Sequence, residues 1–246
     1  MAIALISLGS NLGDSTATLA AATAHLGNLP DLTLLAISQT HITLAIGGPA
    51  GQSDFANAAA LLETNLSPHR LLDVLHDVEQ QFRRRREVRW SARTLDLDLL
   101  LYDDVVVEEP ELIVPHRFLA FRRFVLEPAA EVAPDTVHPV LGLTIDQLRE
   151  HLRTPNVFQL EGGDDALRRD VAYQVAQRLP WLGIVVSEQA IVLHDAATPG
   201  DGPAKAVFQL GGERYTGPLR IPRLVVPAND LDRAVDEVAA AIESIR

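Results

Sequence analysis

Residues 95–102 read Leu-Asp-Leu-Asp-Leu-Leu-Leu-Tyr, and the strict alternation over 95–99 is the strongest constraint on what the chain folds into. A strand turns every second side chain to the same face, so Leu95, Leu97 and Leu99 point one way while Asp96 and Asp98 point the other. Two carboxylates then share one face of a sheet. Like charges placed side by side repel unless a cation sits between them, and a hard divalent ion held by oxygen atoms is the usual solution. Alternation by itself also fits an amphipathic strand with a wet acidic face.

The surroundings favour a site. Arg83, Arg84, Arg85, Arg86, Arg89 and Arg93 precede Asp96 closely, and a guanidinium is a permanently charged fork that grips phosphate oxygens in pairs. Carboxylates, a divalent ion and several guanidiniums are the parts of phosphoryl transfer, where catalysis is mostly positioning and charge neutralisation. The competing reading is a solvated basic loop at a helix end.

Composition bounds the class. The 246 residues contain no cysteine, which excludes disulfides and thiolate metal sites. No apolar run approaches ~20 residues and the start lacks a basic leader, so no membrane partner is expected and the expected location is cytoplasmic. A net charge of −12 disfavours nucleic acid as a partner, and an anionic nucleotide must be drawn to a local positive pocket. Lys205 is the only lysine; the basic chemistry belongs to arginine.

Hydrophobic periodicity predicts strands at 3–7, 32–38, 55–62, 96–102 and 105–107, and helices at 15–26 (capped by Asp14 or Ser15) and 68–82 (capped by Ser67, with Pro68 at the first turn). Short helices are expected near 123–131 and 144–152, and residues 43–54, rich in Gly and Pro, read as a loop able to close over a ligand. The βαββαβ order suits an α/β (α+β) fold with a ferredoxin-like layer. Beyond residue 156, strands at 157–160, 183–186, 190–193, 206–210 and 224–226 and helices at 165–179 and 231–245 make a second, smaller α/β unit. Its opening, a strand, Glu161-Gly162-Gly163 and a helix, looks like a degenerate P-loop kinase unit, because Gly-x4-Gly-Lys-Ser/Thr is absent.

The run Arg89-Trp90-Ser91-Ala92-Arg93-Thr94-Leu95-Asp96-Leu97-Asp98 resembles the signature of the 6-hydroxymethyl-7,8-dihydropterin pyrophosphokinase family. Other landmarks follow in order: Ser7-Leu8-Gly9-Ser10-Asn11-Leu12-Gly13, Gln52 to Asn57, Val114-Pro115-His116 with Arg122 and Phe124, then Pro128, Glu131, Ala133-Pro134 and His138-Pro139. The resemblance covers about residues 1–153 and implies a pterin pyrophosphokinase domain there, with residues 156–246 a C-terminal α/β domain of unassigned role.

The resemblance implies transfer of pyrophosphate from ATP to the hydroxymethyl oxygen of the reduced pterin, with release of AMP. Asp96 and Asp98 match the pair that holds two Mg²⁺ ions, and Arg83 and Arg93 match catalytic arginines. Arg85, Arg89, Arg93, His116 and Arg122 correspond to nucleotide contacts. On the pterin side, Phe55 and Phe124 match two stacking positions, Asn57 the side chain on the ring edge, Thr43 a neighbouring main-chain contact and Trp90 a closing loop residue. Departures from the family pattern are Ala45, Phe82, Ser91, Ala92, Glu111 and Ile113. They leave open a noncatalytic pterin or nucleotide-binding module, or an interaction protein working through its C-terminal unit, for which a structural role or a dimerising one, as a homodimer, is the default expectation.

Overall fold

The computed structural model describes residues 1–46, 51–82, 93–154, 156–186, 191–196, 204–211 and 221–245. Arg83, Arg85, Arg89 and Trp90, and the departures Ser91 and Ala92, lie outside the described residues. The chain divides into two compact units, 1–139 with 143–149, and 140–142 with 150–246.

The first unit runs β1 (Ala2–Ser10), α1 (Ser15–Leu26), β2 (Leu32–Ile37), β3 (His41–Thr43), β4 (Phe55–Thr64), α2 (Pro68–Gln81), β5 (Asp96–Tyr102), β6 (Val107–Glu108), β7 (Ile113–Val114), a 3-10 turn at Leu119–Phe121, and α3 (Arg123–Val132). α4 (Ile145–His151) follows. The main sheet has the order β2-β4-β1-β5, with β3 also paired to β4, and every pairing is antiparallel. Asp14 accepts the N–H of Ala17 and Ser67 accepts that of Arg70, so each of the first two helices starts on a side-chain cap.

The sheet has two unlike faces. Ala4, Ile6 and Leu8 of β1, the even-numbered residues Ala56 to Leu62 of β4, and Leu97 and Leu99 of β5 join Leu19, Ala22 and Leu26 of α1 and Leu71, Leu75 and Val78 of α2 in one core, which Leu95 just ahead of β5 completes. Each fully buried leucine contributes roughly 1.5–3 kcal/mol. A one-residue slip of β5 would exchange them for two carboxylates, so the core fixes the register that turns Asp96 and Asp98 away from it. α3 also packs on β4, β1 and β3, yet none of its residues belongs to that core; it covers the opposite face.

Ala4 and Leu5 pair with Tyr102 and Leu101, whereas Ile6 pairs with Leu99, which leaves Leu100 bulged. The bulge returns Tyr102 to the core, and the Leu100 carbonyl accepts the His116 N–H at 2.9 Å. The strand expected at 105–107 is displaced. Asp103 takes φ 43° and Val105 N–H bonds Tyr102 O at 3.0 Å, so Val105 closes a turn and pairing begins at Val107.

The second unit contains β8 (Val157–Gly162), α5 (Asp165–Arg178), β9 (Leu182–Val186), β10 (Ile191–Asp195), β11 (Ala206–Leu210), β12 (Arg223–Val226) and α6 (Leu231–Ile245). Its sheet order is β12-β11-β8-β10-β9; β8, β11 and β12 are parallel, and β9 and β10 form an antiparallel ribbon beside β8. Lys205 is buried and structural, its Nζ donating to Leu152 O at 2.9 Å and Asn156 Oδ1 at 2.8 Å. At the end of β8, Gly162 sits at φ +70° with Leu210 O only 2.7 Å from where a Cβ would be. Arg168 donates to the Gly162 and Gly163 carbonyls, each at 2.8 Å. This turn therefore closes on its own neighbours.

Candidate functional site

Gly9 of β1 pairs with Asn57 on one side and Asp96 on the other, and Ser7 pairs with Asp98. Residues directly opposite share a face, so Asn57, Gly9 and Asp96 form one row across the face that the α1 and α2 core does not use. Two strand spacings, roughly 10 Å, separate the backbones of Asn57 and Asp96. Between them lies only the glycine backbone.

Asn57 is buried, and its Nδ2 donates to Thr43 Oγ1 at 2.8 Å. Phe55, two positions earlier on β4, faces the same way and pairs with Thr43. His41 joins Glu131 at 2.6 Å, and Glu131 also accepts the Gln39 N–H at 2.8 Å, tying β3 to α3. Burial pushes the Glu131 carboxyl up, but the Gln39 N–H and the His41 ring outweigh it and hold it below the usual carboxylate value.

The acidic end of the row opens into a cavity of about 270 Å³ lined by Arg93, Asp96, Asp98, His116, Arg117 and the walls Leu72, His76, Leu112 and Ile113. This is just below the ~300–1,000 Å³ usual for small-molecule sites. A larger hollow of about 600 Å³, between α1 and β2, is lined by Leu19, Ala20, Leu34, Ile37 and small polar residues. It lacks titratable groups, so the chemistry belongs to the smaller cavity.

Arg93 donates to Asp96, and Arg122 lies 3.7 Å from Asp98. Desolvation lowers the Arg122 pKa, with Asp98 and Asp96 pulling the other way. His116 is pushed down to about 3, by burial first and then by the charge of Arg122, so its ring is neutral. Its Nδ1 accepts the Phe118 N–H at 3.4 Å, which leaves the proton on Nε2 as a donor. Arg122 lies over the rings of Phe118, 4.7 Å from the centroid, and Phe124, 5.6 Å. Three guanidiniums, of Arg93, Arg117 and Arg122, stand with three carboxylates, of Asp96, Asp98 and Glu111, at this cavity.

Among the described residues no group of three or more His, Asp or Glu side chains is arranged to hold a metal. The fit of Asp96 and Asp98 to a divalent ion rests on their chemistry and placement: two hard oxygen donors on one face, both partly open to the cavity, with 18% and 31% of their side-chain surfaces exposed. Mg²⁺ is commonly held by one or two carboxylates, with phosphate and water completing its shell.

Three groups had no assignment from sequence. Asn11, buried, accepts the Arg93 N–H at 2.7 Å and donates to Gln52 Oε1 and Ser53 O, each at 3.3 Å. Glu79, buried on α2, accepts the Leu97 N–H at 2.7 Å between the two aspartates. Arg117 lines the cavity. Asn11 sits inside a quoted motif, which was its only signal; Glu79 reads as one more polar helix residue, and Arg117 is eclipsed by the histidine before it.

The sequence profile of the family described as 7,8-dihydro-6-hydroxymethylpterin-pyrophosphokinase matches residues 5–134. Three curated relatives carry the name 2-amino-4-hydroxy-6-hydroxymethyldihydropteridine pyrophosphokinase. The protein from Methylorubrum extorquens is 43% identical over 161 residues, 65% of this chain and 100% of its own length. That from Pseudomonas aeruginosa is 43% identical over 130 residues, 53% of this chain and 80% of its own. The Synechocystis protein is 39% identical over 160 residues, 65% of this chain and 81% of its own.

Proposed function

The chain belongs to the 7,8-dihydro-6-hydroxymethylpterin-pyrophosphokinase family, and from this premise we propose how its residues carry the reaction. It is a transferase of folate biosynthesis that moves pyrophosphate from ATP to 6-hydroxymethyl-7,8-dihydropterin. The hydroxymethyl oxygen bonds to the β-phosphorus, the bond from that phosphorus to the α-bridging oxygen breaks, AMP leaves with that oxygen, and the hydroxyl proton is lost.

The single observation that carries the assignment of roles is the row Asn57, Gly9, Asp96. Asn57 meets the polar edge of the pterin, Phe55 and Phe124 cover its faces, and the hydroxymethyl arm runs over Gly9 toward Asp96. Arg93, Arg122 and the Nε2–H of neutral His116 hold the triphosphate, and by sequence Arg83, Arg85 and Arg89 add to that clamp while Trp90 closes over the substrates. Asp96 and Asp98 would hold two Mg²⁺ ions. When bound, these supply charge neutralisation along the triphosphate. Preorganised cations around a phosphoryl group in a small cavity provide the larger part of such catalysis.

We assign residues 1–153 to this domain, whose strand order and paired helices support a ferredoxin-like reading, and residues 156–246 to a structural or dimerising module. The parallel β8-β11-β12 core with its diglycine turn supports a P-loop-like origin for that module, and Arg168 on the turn carbonyls supports loss of phosphate binding. No helix of the described residues is long and apolar enough to cross a membrane, and a cytoplasmic location fits ATP as co-substrate. Light scattering on the full chain tests the dimer; a monomer mass removes it.

Mixing the protein with ATP, Mg²⁺ and the reduced pterin and following ³¹P resonances tests the reaction. AMP and pyrophosphorylated pterin form in equal amounts, and Asp96→Ala abolishes both. ADP as the product, or full rate in Asp96→Ala, would overturn the assignment.

A further inference from the structure

Phe118 is a half-buried aromatic side chain for which neither the pterin nor the metal gives a reason, yet it touches three groups of the phosphate side. Arg117 lies 4.8 Å and Arg122 4.7 Å from its ring centroid, the His116 ring is 6.0 Å away, and its N–H donates to His116 Nδ1 at 3.4 Å. Packing alone does not account for two guanidiniums on one phenyl ring. An aromatic face attracts cations through its quadrupole, and the attraction strengthens as water is excluded.

Arg117 also lines the cavity that contains Asp96, Asp98 and His116. We propose that Phe118 is a positioning residue for the nucleotide, its ring presenting Arg117 and Arg122 as a pair to the phosphates, and that Arg117 is thereby a phosphate-binding group of this site. The inference rests on the pyrophosphokinase reading and adds to it a residue and the surface that holds it. Leucine at 118 keeps the apolar bulk and removes the quadrupole; tyrosine and tryptophan keep the quadrupole.

The test measures KM for ATP, KM for the pterin and kcat in the full chain and in F118L, F118Y, F118W, R117M and F118L/R117M. F118L is expected to raise the KM for ATP about tenfold with the pterin KM within twofold. F118Y and F118W return to within about threefold of the parent. R117M raises the KM for ATP by no more than F118L, which disturbs Arg122 as well, and the double variant is no worse than about twice F118L, because the ring acts through the arginines. Equal ATP KM in F118L and the parent would overturn the proposal, as would fully multiplicative effects in the double variant or parallel rises in both KM values. If the parent chain makes no AMP, the reading of the site fails as well; if it does and F118L is unaltered, only the aromatic platform fails.

Discussion

Gly9→Ala should make the protein more stable and less active, a pair of effects that separates a substrate floor from a structural glycine. Gly9 is not among the glycines with positive φ, so alanine is conformationally acceptable. An added Cβ would lie 3.6 Å from Asn57 Oδ1 and 3.8 Å from Asp96 Cβ, ordinary van der Waals contacts with no backbone clash. Reducing the freedom of the unfolded chain then stabilises by about 0.4–1 kcal/mol. For a chain of this size that raises Tm by roughly 1–4 °C. The new methyl stands between Asn57 and Asp96, the two groups to which we assign the pterin edge and the phosphate chain. A displacement of order 1 Å at a reacting centre costs up to ~10²-fold, so kcat/KM for the pterin falls about 10- to 100-fold, equivalent to ~1.4–2.7 kcal/mol. Thermal melts and a coupled AMP assay read both quantities on the same sample. A variant that melts higher and still makes AMP within threefold of the parent rate would show that nothing crosses Gly9.

Glu79→Ala leaves the buried Leu97 N–H unpaired and should cost about 1.5–3 kcal/mol; Glu79→Gln, which keeps an acceptor, should recover most of this in urea melts. Asn11→Ala breaks the link between Arg93 and the Gln52-Ser53 segment and should raise the KM for both substrates, whereas Gln52→Ala should affect chiefly the pterin; identical profiles for the two would contradict that division. His116, held down to about 3, excludes a proton that the unfolded chain binds below about 6.5. Its contribution to stability is therefore complete above about pH 6.5 and lost as pH falls toward 3, and His116→Asn should flatten the acid side of the stability profile. NMR of the imidazole should show a neutral ring at pH 5, and a charged ring at that pH would refute the assignment.

The alternation of residues 95–99 exposes the core and the acidic face because period two in a sheet translates directly into facing. The run Leu99-Leu100-Leu101 conceals its bulge, since an extra residue in a continuous apolar stretch leaves no mark on the pattern. β3 is equally hidden: three residues after an irregular turn are too few for periodicity, and only pairing to β4 makes them a strand. Asp96, Asp98, Arg93 and His116 were legible as ionisable groups near one another in sequence or motif. Phe118 and Glu79 were not, because their roles are contacts between elements: a ring beneath guanidiniums at positions one before and four after it, and a helix carboxylate on the outer edge of β5.

The most direct measurement is a diffraction structure of the full chain soaked with Mg²⁺, a non-hydrolysable ATP analogue and the reduced pterin. The account predicts Mg²⁺ within about 2.0–2.1 Å of carboxylate oxygens of Asp96 and Asp98, phosphates against Arg93, Arg117, Arg122 and His116, and the pterin edge on Asn57 with its hydroxymethyl arm over Gly9. Nucleotide density elsewhere, with both aspartates facing only water, would contradict it.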